Sequence, residues 1–154
     1  MLQQPRISIV VPSFNQAKYL GETLESLAIQ KYPNLEVIVQ DAGSSDNSVR
    51  IAQSYAQRHP DIFKVFIERD NGQAHGLNLG FKKATGTILS FLNSDDTLFP
   101  GCLERVTKEI DPEHGRFIVM GRCLFVGEGA PYVGIEHPCE FTDHFTHLQS
   151  GSVA

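Results

Sequence analysis

Four short apolar runs recur along the first two thirds of the chain, and each is followed by a stretch with helical or turn-like character. The runs are "ISIVV" (residues 7–11), "LEVIVQ" (35–40), "FKVFIE" (63–68) and "TILSFL" (87–92). Their apolar residues are largely continuous rather than alternating. That is the pattern of strands covered on both faces, as in a parallel sheet. Between the first two runs, Leu20, Leu24, Leu27 and Ala28 share one face of a helix, with Asn15 as its expected N-cap and Pro33 barring continuation. After the second run, Asp46 is placed to cap a helix that buries Val49, Ile51, Ala52, Tyr55 and Ala56 and ends near residues 59–60.

A third helix is expected over residues 73–84, closed by Gly86, and a fourth after Pro100, with the proline in its first turn. "RFIVMGRCLFVG" (116–127) reads as a further strand. Alternation of this kind defines an α/β fold: a Rossmann-like sandwich, mostly parallel, with helices on both faces. A length of 154 residues suits one domain, with residues 7–110 as its βα core.

The charge balance narrows the function. A net charge of −5 argues against a nucleic-acid partner, which normally meets a basic face. Cys102, Cys123 and Cys139 are widely spaced, odd in number and form no CxxC pair, which fits free thiols in a reducing, cytoplasmic setting. The apolar run at residues 7–11 is too short for a signal peptide, and no stretch reaches the length of a membrane span, which leaves open a peripheral contact at the inner face or a span in a longer parent chain.

Ligands of open α/β sheets bind beyond the carboxyl ends of the strands. Here those ends read "PSFN", "DAGSSD", "RDNGQAH" and "NSDD". Asp95 and Asp96 are adjacent carboxylates, which repel unless a cation lies beside them. Mg²⁺ or Mn²⁺ would satisfy both, and such ions take one or two protein carboxylates when phosphate oxygens complete the shell. The plain alternative is a solvated turn that caps the helix near Pro100. Asp41 is placed either to accept a hydrogen bond from a nucleobase imide or a ribose, or to brace "DAGSSD" as an Asx-turn. Pro12, Ser13, Phe14 and Asn15 would lie along a flat base or form an ordinary strand-to-helix turn.

"DNGQAHGLNLG" is neither G-x-G-x-x-G nor a P-loop, and Gly76 and Gly80 suggest close helix packing. The helix start near Gly72 and Gln73 would face an anion. "HPCEFTDHFTH" raises zinc, but His137-x-Cys139 is too tight for an ordinary pair. No G-x-S-x-G elbow or cysteine–histidine pair offers a nucleophile.

Together, the segment from "SIVVPSFNQ" to "DAGSSDNS" and the segment "DNGQAHGLNLGFKKATGTILSFLNSDDTLFPG" resemble glycosyltransferase family 2. The likeness runs in unbroken order from residue 7 to about 106. It implies a GT-A fold and an inverting transfer of sugar from a nucleoside-diphosphate donor, a UDP-sugar by preference, to a saccharide or lipid-linked acceptor. By the same likeness Pro12, Ser13, Phe14 and Asn15 line the nucleotide pocket and Asp41 meets the base. Gly72 and Gln73 lie beside the phosphates and sugar. Asp95 contacts ribose or metal, and Asp96 holds Mn²⁺ or Mg²⁺ on the diphosphate. Ala42, His75 and Asn93 stand where the family often has acids.

In the family the catalytic base lies on a later acidic motif, and none of the acids from Glu104 to Asp143 stands in a matching context. The base is therefore expected beyond Ala154, with residues 111–154 as the start of the acceptor side. A non-catalytic nucleotide-sugar binding module is the alternative. A plain scaffold or a phosphoacceptor receiver fits less well, since the latter needs acids after its first strand. The expectation is weak or no sugar transfer from these 154 residues alone, which robust turnover by the purified chain would overturn.

Overall fold

The computed structural model describes residues 4–110 and residue 119. The chain divides into two compact units, Met1–Ile110 and Asp111–Ala154, and the elements below belong to the first. They run β1 (Ile7–Ser13), α1 (Leu20–Ala28), β2 (Leu35–Asp41), α2 (Ser48–Arg58), β3 (Phe63–Ile67), α3 (Gln73–Phe81), β4 (Ile88–Phe91) and α4 (Cys102–Glu109). The four strands form one sheet in the order β3-β2-β1-β4, and every pairing is parallel. The expected strand at 116–127 lies outside the described residues, as do Cys123, Cys139 and the histidines from His137 to His147.

Side chains alternate across the sheet. Ile7, Ile9 and Val11 of β1 and Val37 and Val39 of β2 face one way, into a cluster with Leu20, Leu24, Leu27, Ala52, Tyr55 and Leu103. That face carries α1, α2 and α4. The opposite face carries α3, whose Gly80 lies directly on Val10; a Cβ at that glycine would overlap the Val10 side chain. The close packing expected of the helix glycines is therefore met at Gly80.

The register of β1 on β2 places Ser8 opposite Glu36 and Ser13 opposite Asp41. Both pairs are hydrogen-bonded, Ser8 Oγ donating to Glu36 Oε2 at 2.5 Å and Ser13 Oγ to Asp41 Oδ2 at 2.9 Å. Glu36 is fully buried and also accepts from Lys64 Nζ at 2.7 Å, Arg6 Nη2 at 3.3 Å and the Thr85 backbone N–H at 2.8 Å. It thereby ties β1, β2, β3 and the turn before β4 at the amino ends of the strands.

Five local expectations are corrected. The first strand does not stop at residue 11 but continues through Pro12 and Ser13. Backbone groups along β1 point alternately to β2 and β4. The Ser13 carbonyl accepts from Ala42 toward β2, and the Val10 carbonyl accepts from Leu92 toward β4. Pro12 therefore turns its missing N–H toward β4, just where β4 has ended, so the ring costs no ladder bond.

Asn15 does not cap α1. It adopts a left-handed backbone (φ 53°), and the helix begins at Leu20 without a side-chain cap. Asp46 serves α2 one step early: Asn47 is the N-cap, while Asp46 Oδ1 accepts from the Ser48 N–H at 2.9 Å. Pro100 likewise precedes its helix, which starts after Gly101 in the left-handed conformation (φ 75°). The fourth strand, read from its apolar run as covered, is the outer strand β4 of the sheet among the described residues, with Leu89 54% and Phe91 51% exposed.

Burial alone would raise the Glu36 pKa, but hydrogen bonds from Lys64, Ser8 and Thr85 outweigh it and hold the carboxyl at about 2, below its ordinary 4.5. A depressed carboxylate stabilises the fold above its unfolded pKa, and that contribution disappears as pH falls through the folded value. Urea unfolding of the wild type should lose about 3 kcal/mol from this group between pH 4.5 and 2. In Glu36→Gln that acid-limb loss should be missing, and an unchanged pH dependence would show that Glu36 does not act this way.

Candidate functional site

The carboxyl ends of the strands open onto a cleft of about 860 Å³, a size usual for small-molecule sites. Pro12, Ser13 and Phe14 form the wall after β1, and Ala42, Gly43 and Ser45 the wall after β2. Arg69, Asp70, Gly72 and Gln73 follow β3, and Asn93, Ser94 and Asp95 follow β4. All four strand ends therefore contribute. Of the residues singled out from sequence, Pro12, Ser13, Phe14, Gly72, Gln73 and Asp95 line the cleft, while Asn15, Asp41 and Asp96 do not.

The walls are stitched together by polar contacts between segments distant in sequence. Asn15 N–H donates to Ser44 Oγ at 2.8 Å, and Asn15 Oδ1 accepts from Ser45 N–H at 2.9 Å. Gln16 N–H reaches Ser48 Oγ and Ala17 N–H reaches Asp46 Oδ2. Asn15 thus joins the loop after β1 to the loop after β2, a role that its left-handed backbone makes possible.

Asp41 is the centre of the second loop. It is fully buried, and its carboxylate accepts four hydrogen bonds: Gly43 N–H at 2.9 Å, Ser44 N–H at 2.7 Å, Ser44 Oγ at 2.8 Å and Ser13 Oγ at 2.9 Å. A carboxylate has about four acceptor positions, so this one is full. The Asx-turn reading describes this geometry. Gly43 completes the turn at φ 91°, and the position of its absent side chain lies 3.8 Å from Arg69 Cγ.

On the far wall Gly72 opens α3 with φ 106°, a conformation that favours glycine. Asp70 Oδ1 accepts from its N–H at 2.9 Å, and His75 Nδ1 accepts from the Asn71 N–H at 3.0 Å. Residues 93–96 form a turn closed by Asp96 N–H on the Asn93 carbonyl at 3.1 Å. Asp95 and Asp96 are exposed, and among the described residues neither enters a salt bridge. They do not cap α4, which has no side-chain cap, so the capping alternative fails. Asp96 Oδ2 accepts from Asn93 Nδ2 at 2.9 Å, and Asn93 Oδ1 accepts from Gln73 Nε2 at 2.6 Å.

Arg69, which sequence reasoning missed, is the only cationic side chain on the cleft wall among the described residues. A lone arginine after a strand carries no spacing pattern; its position directly after "FKVFIE" was the available signal. An acid, Asp95, and an arginine, Arg69, on the walls of one cleft suit a ligand that carries both a cation and negative oxygens. No group of three or more His, Cys, Asp or Glu side chains with metal-binding geometry occurs among the described residues.

Such an arrangement, at the switch end of a parallel sheet, is the architecture of α/β nucleotide-binding enzymes. The sequence matches the family model described as glycosyl transferase family 2 over residues 8–150, and the chain belongs to that family. It is 32% identical over 127 residues to the GalNAc(5)-diNAcBac-PP-undecaprenol beta-1,3-glucosyltransferase of Campylobacter jejuni, covering 81% of this chain and 40% of that protein.

Two solved structures share the GT-A fold. One is the mannosyltransferase PcManGT from Pyrobaculum calidifontis in complex with GDP-Man and Mn²⁺, with a TM-score of 0.65 and 31% identity over 72% of this chain and 34% of that one. The other is S. aureus TarS 1-349 in complex with UDP-GlcNAc, with a TM-score of 0.64 and 29% identity over 75% of this chain and 37% of that one. The chain spans 32%, 40% and 51% of the lengths of three of its curated relatives.

The Asp41 network makes a stability prediction. Asp41→Ala removes acceptors from two backbone N–H groups and two hydroxyls, and should cost about 2–4 kcal/mol in urea unfolding. Amide exchange at Gly43 and Ser44 should accelerate at the same time. Unchanged stability and exchange would show that the loop stands without this brace.

Proposed function

We propose that the protein is an inverting glycosyltransferase whose strand-end cleft binds a nucleoside-diphosphate sugar. The observation that carries this reading is the exposed Asp95-Asp96 pair, which no cap and no salt bridge occupies among the described residues, at a cleft built from all four strand ends. The structures bound to GDP-Man with Mn²⁺ and to UDP-GlcNAc support a donor of this class. A UDP-sugar is the donor we favour, with Mn²⁺ or Mg²⁺ as cofactor.

The donor set fits such an ion, since two carboxylates suffice when diphosphate oxygens complete its shell. When bound, the cation supplies a Lewis acid beside the leaving diphosphate. Asp95 and Asp96 would hold it, Asp95 from the cleft wall and Asp96 from the next position along the turn. Pro12, Ser13, Phe14 and Asn15 frame the nucleoside. Asp41 acts on the base side by shaping the loop that faces it, while Arg69 offers a cation to the base edge or a phosphate. Gly72 and Gln73, at the start of α3, lie beside the diphosphate and sugar.

The acceptor is a saccharide or a lipid-linked saccharide, which the name of the Campylobacter relative supports. The site of action is the cytoplasm, at the inner face of the membrane; no helix among the described residues is long and apolar enough to cross one.

Calorimetry with UDP, with and without Mn²⁺, tests the reading. Wild type should bind UDP tightly only when Mn²⁺ is present. Asp96→Ala should abolish that metal-dependent binding while lowering stability by no more than about 1–2 kcal/mol. Asp96→Ala binding UDP and Mn²⁺ as tightly as wild type would remove the metal role.

A further inference from the structure

We propose that Asn93 is a positioning residue that, together with Gln73, orients the Asp96 carboxylate toward the bound cation. The inference rests on the donor-site reading above and adds to it a relay across the cleft. Gln73 Nε2 donates to Asn93 Oδ1 at 2.6 Å, and Asn93 Nδ2 donates to Asp96 Oδ2 at 2.9 Å. Gln73 opens α3 and Asn93 follows β4, so the relay joins two separate walls of the cleft.

The direction of the relay follows from chemistry alone. An ionised carboxylate only accepts, so Asn93 must turn its NH₂ toward Asp96. Its carbonyl oxygen is then left facing Gln73, which must present its own NH₂. One carboxylate therefore sets the orientation of both amides. The backbone supports the same geometry, because Asp96 N–H closes the turn on the Asn93 carbonyl at 3.1 Å.

Oδ2 of Asp96 is held in place by Asn93, and Oδ1 is left for a ligand; no hydrogen bond to it occurs among the described residues. A partner that fixes a ligating carboxylate in this way commonly accounts for a 10–100-fold difference in metal affinity. Asn93 thus serves the site without being a ligand itself. The neutral amide also keeps the position from adding a third negative charge beside Asp95 and Asp96.

The test is a double-mutant cycle read by electron paramagnetic resonance, titrating Mn²⁺ into the chain at a fixed UDP concentration. Asn93→Ala should weaken Mn²⁺ binding about 10-fold. Gln73→Ala should weaken it by a smaller factor, and adding Gln73→Ala to Asn93→Ala should bring no further loss in Mn²⁺ affinity. Both side chains are at least partly exposed, so thermal midpoints should stay at the wild-type value and separate positioning from folding. Full wild-type affinity in Asn93→Ala, or strictly additive losses in the double variant, would overturn the relay and leave the donor site standing. Absence of Mn²⁺–UDP binding in the wild type would overturn the donor-site reading and the relay together.

Discussion

The register of β1 against β2 depends on two buried carboxylates, each hydrogen-bonded to the serine directly opposite it. Ser8 meets Glu36 near the amino ends of the strands, and Ser13 meets Asp41 at their carboxyl ends. The pairs lie on opposite faces of the sheet, because five residues separate the serines and side chains alternate. A slip of one residue would break both pairs at once and turn the apolar set Ile9, Val11, Val37 and Val39 away from its core. The two acids are not equivalent. Glu36 draws in lysine, arginine and a threonine to close the foot of the sheet, whereas Asp41 draws in backbone N–H groups to shape a loop. One strand thus carries a structural anchor at one end and the frame of the site at the other.

From that anchored sheet the cleft follows by geometry. Pro12 has no N–H to offer β4, and the chain after Phe91 leaves the sheet there. The departing segment becomes the turn that carries Asp95 and Asp96. On the other side of β1, pairing with β2 continues to Ser13 and Asp41, so the second loop stays packed against the first. One wall is held by side-chain and backbone hydrogen bonds around Asn15, Ser44 and Asp41, and the other by Gln73 and Asn93. The groups that line the cleft are therefore carried on short loops fixed by a rigid layer, an arrangement that favours pre-organised recognition.

Much of this was readable in the residues. The β-branched runs marked all four strands, and helical spacing marked α1 and α2 to within a few residues. The polar strand ends pointed to the cleft, and Pro12, Ser13, Phe14, Gly72, Gln73 and Asp95 are on its wall. What escaped depends on partners far away in the chain. An apolar run looks the same in a covered strand and in an exposed one, so the exposure of Leu89 and Phe91 could not be seen in "TILSFL". Asn15 reads as a cap because its receptor is expected nearby, yet its real partners are Ser44 and Ser45. Asp41 was open to two readings, a ligand contact or an Asx-turn brace; Gly43 and Ser44 supply the turn locally, and the hydrogen bond from Ser13 needs the fold. Arg69 stood in the strand end "RDNGQAH" but carried no spacing pattern of its own.

The central claim is that the cleft beyond the strand ends is where a nucleoside diphosphate and its cation sit. Paramagnetic broadening of backbone amide signals tests it directly. With UDP and Mn²⁺ both present, the amides of Gly72, Gln73, Ser94, Asp95 and Asp96 should broaden beyond detection, while those of Glu36, Lys64 and Thr85 at the foot of the sheet stay sharp. Broadening centred elsewhere on the surface, or none around the Asp95–Asp96 turn, would contradict the account.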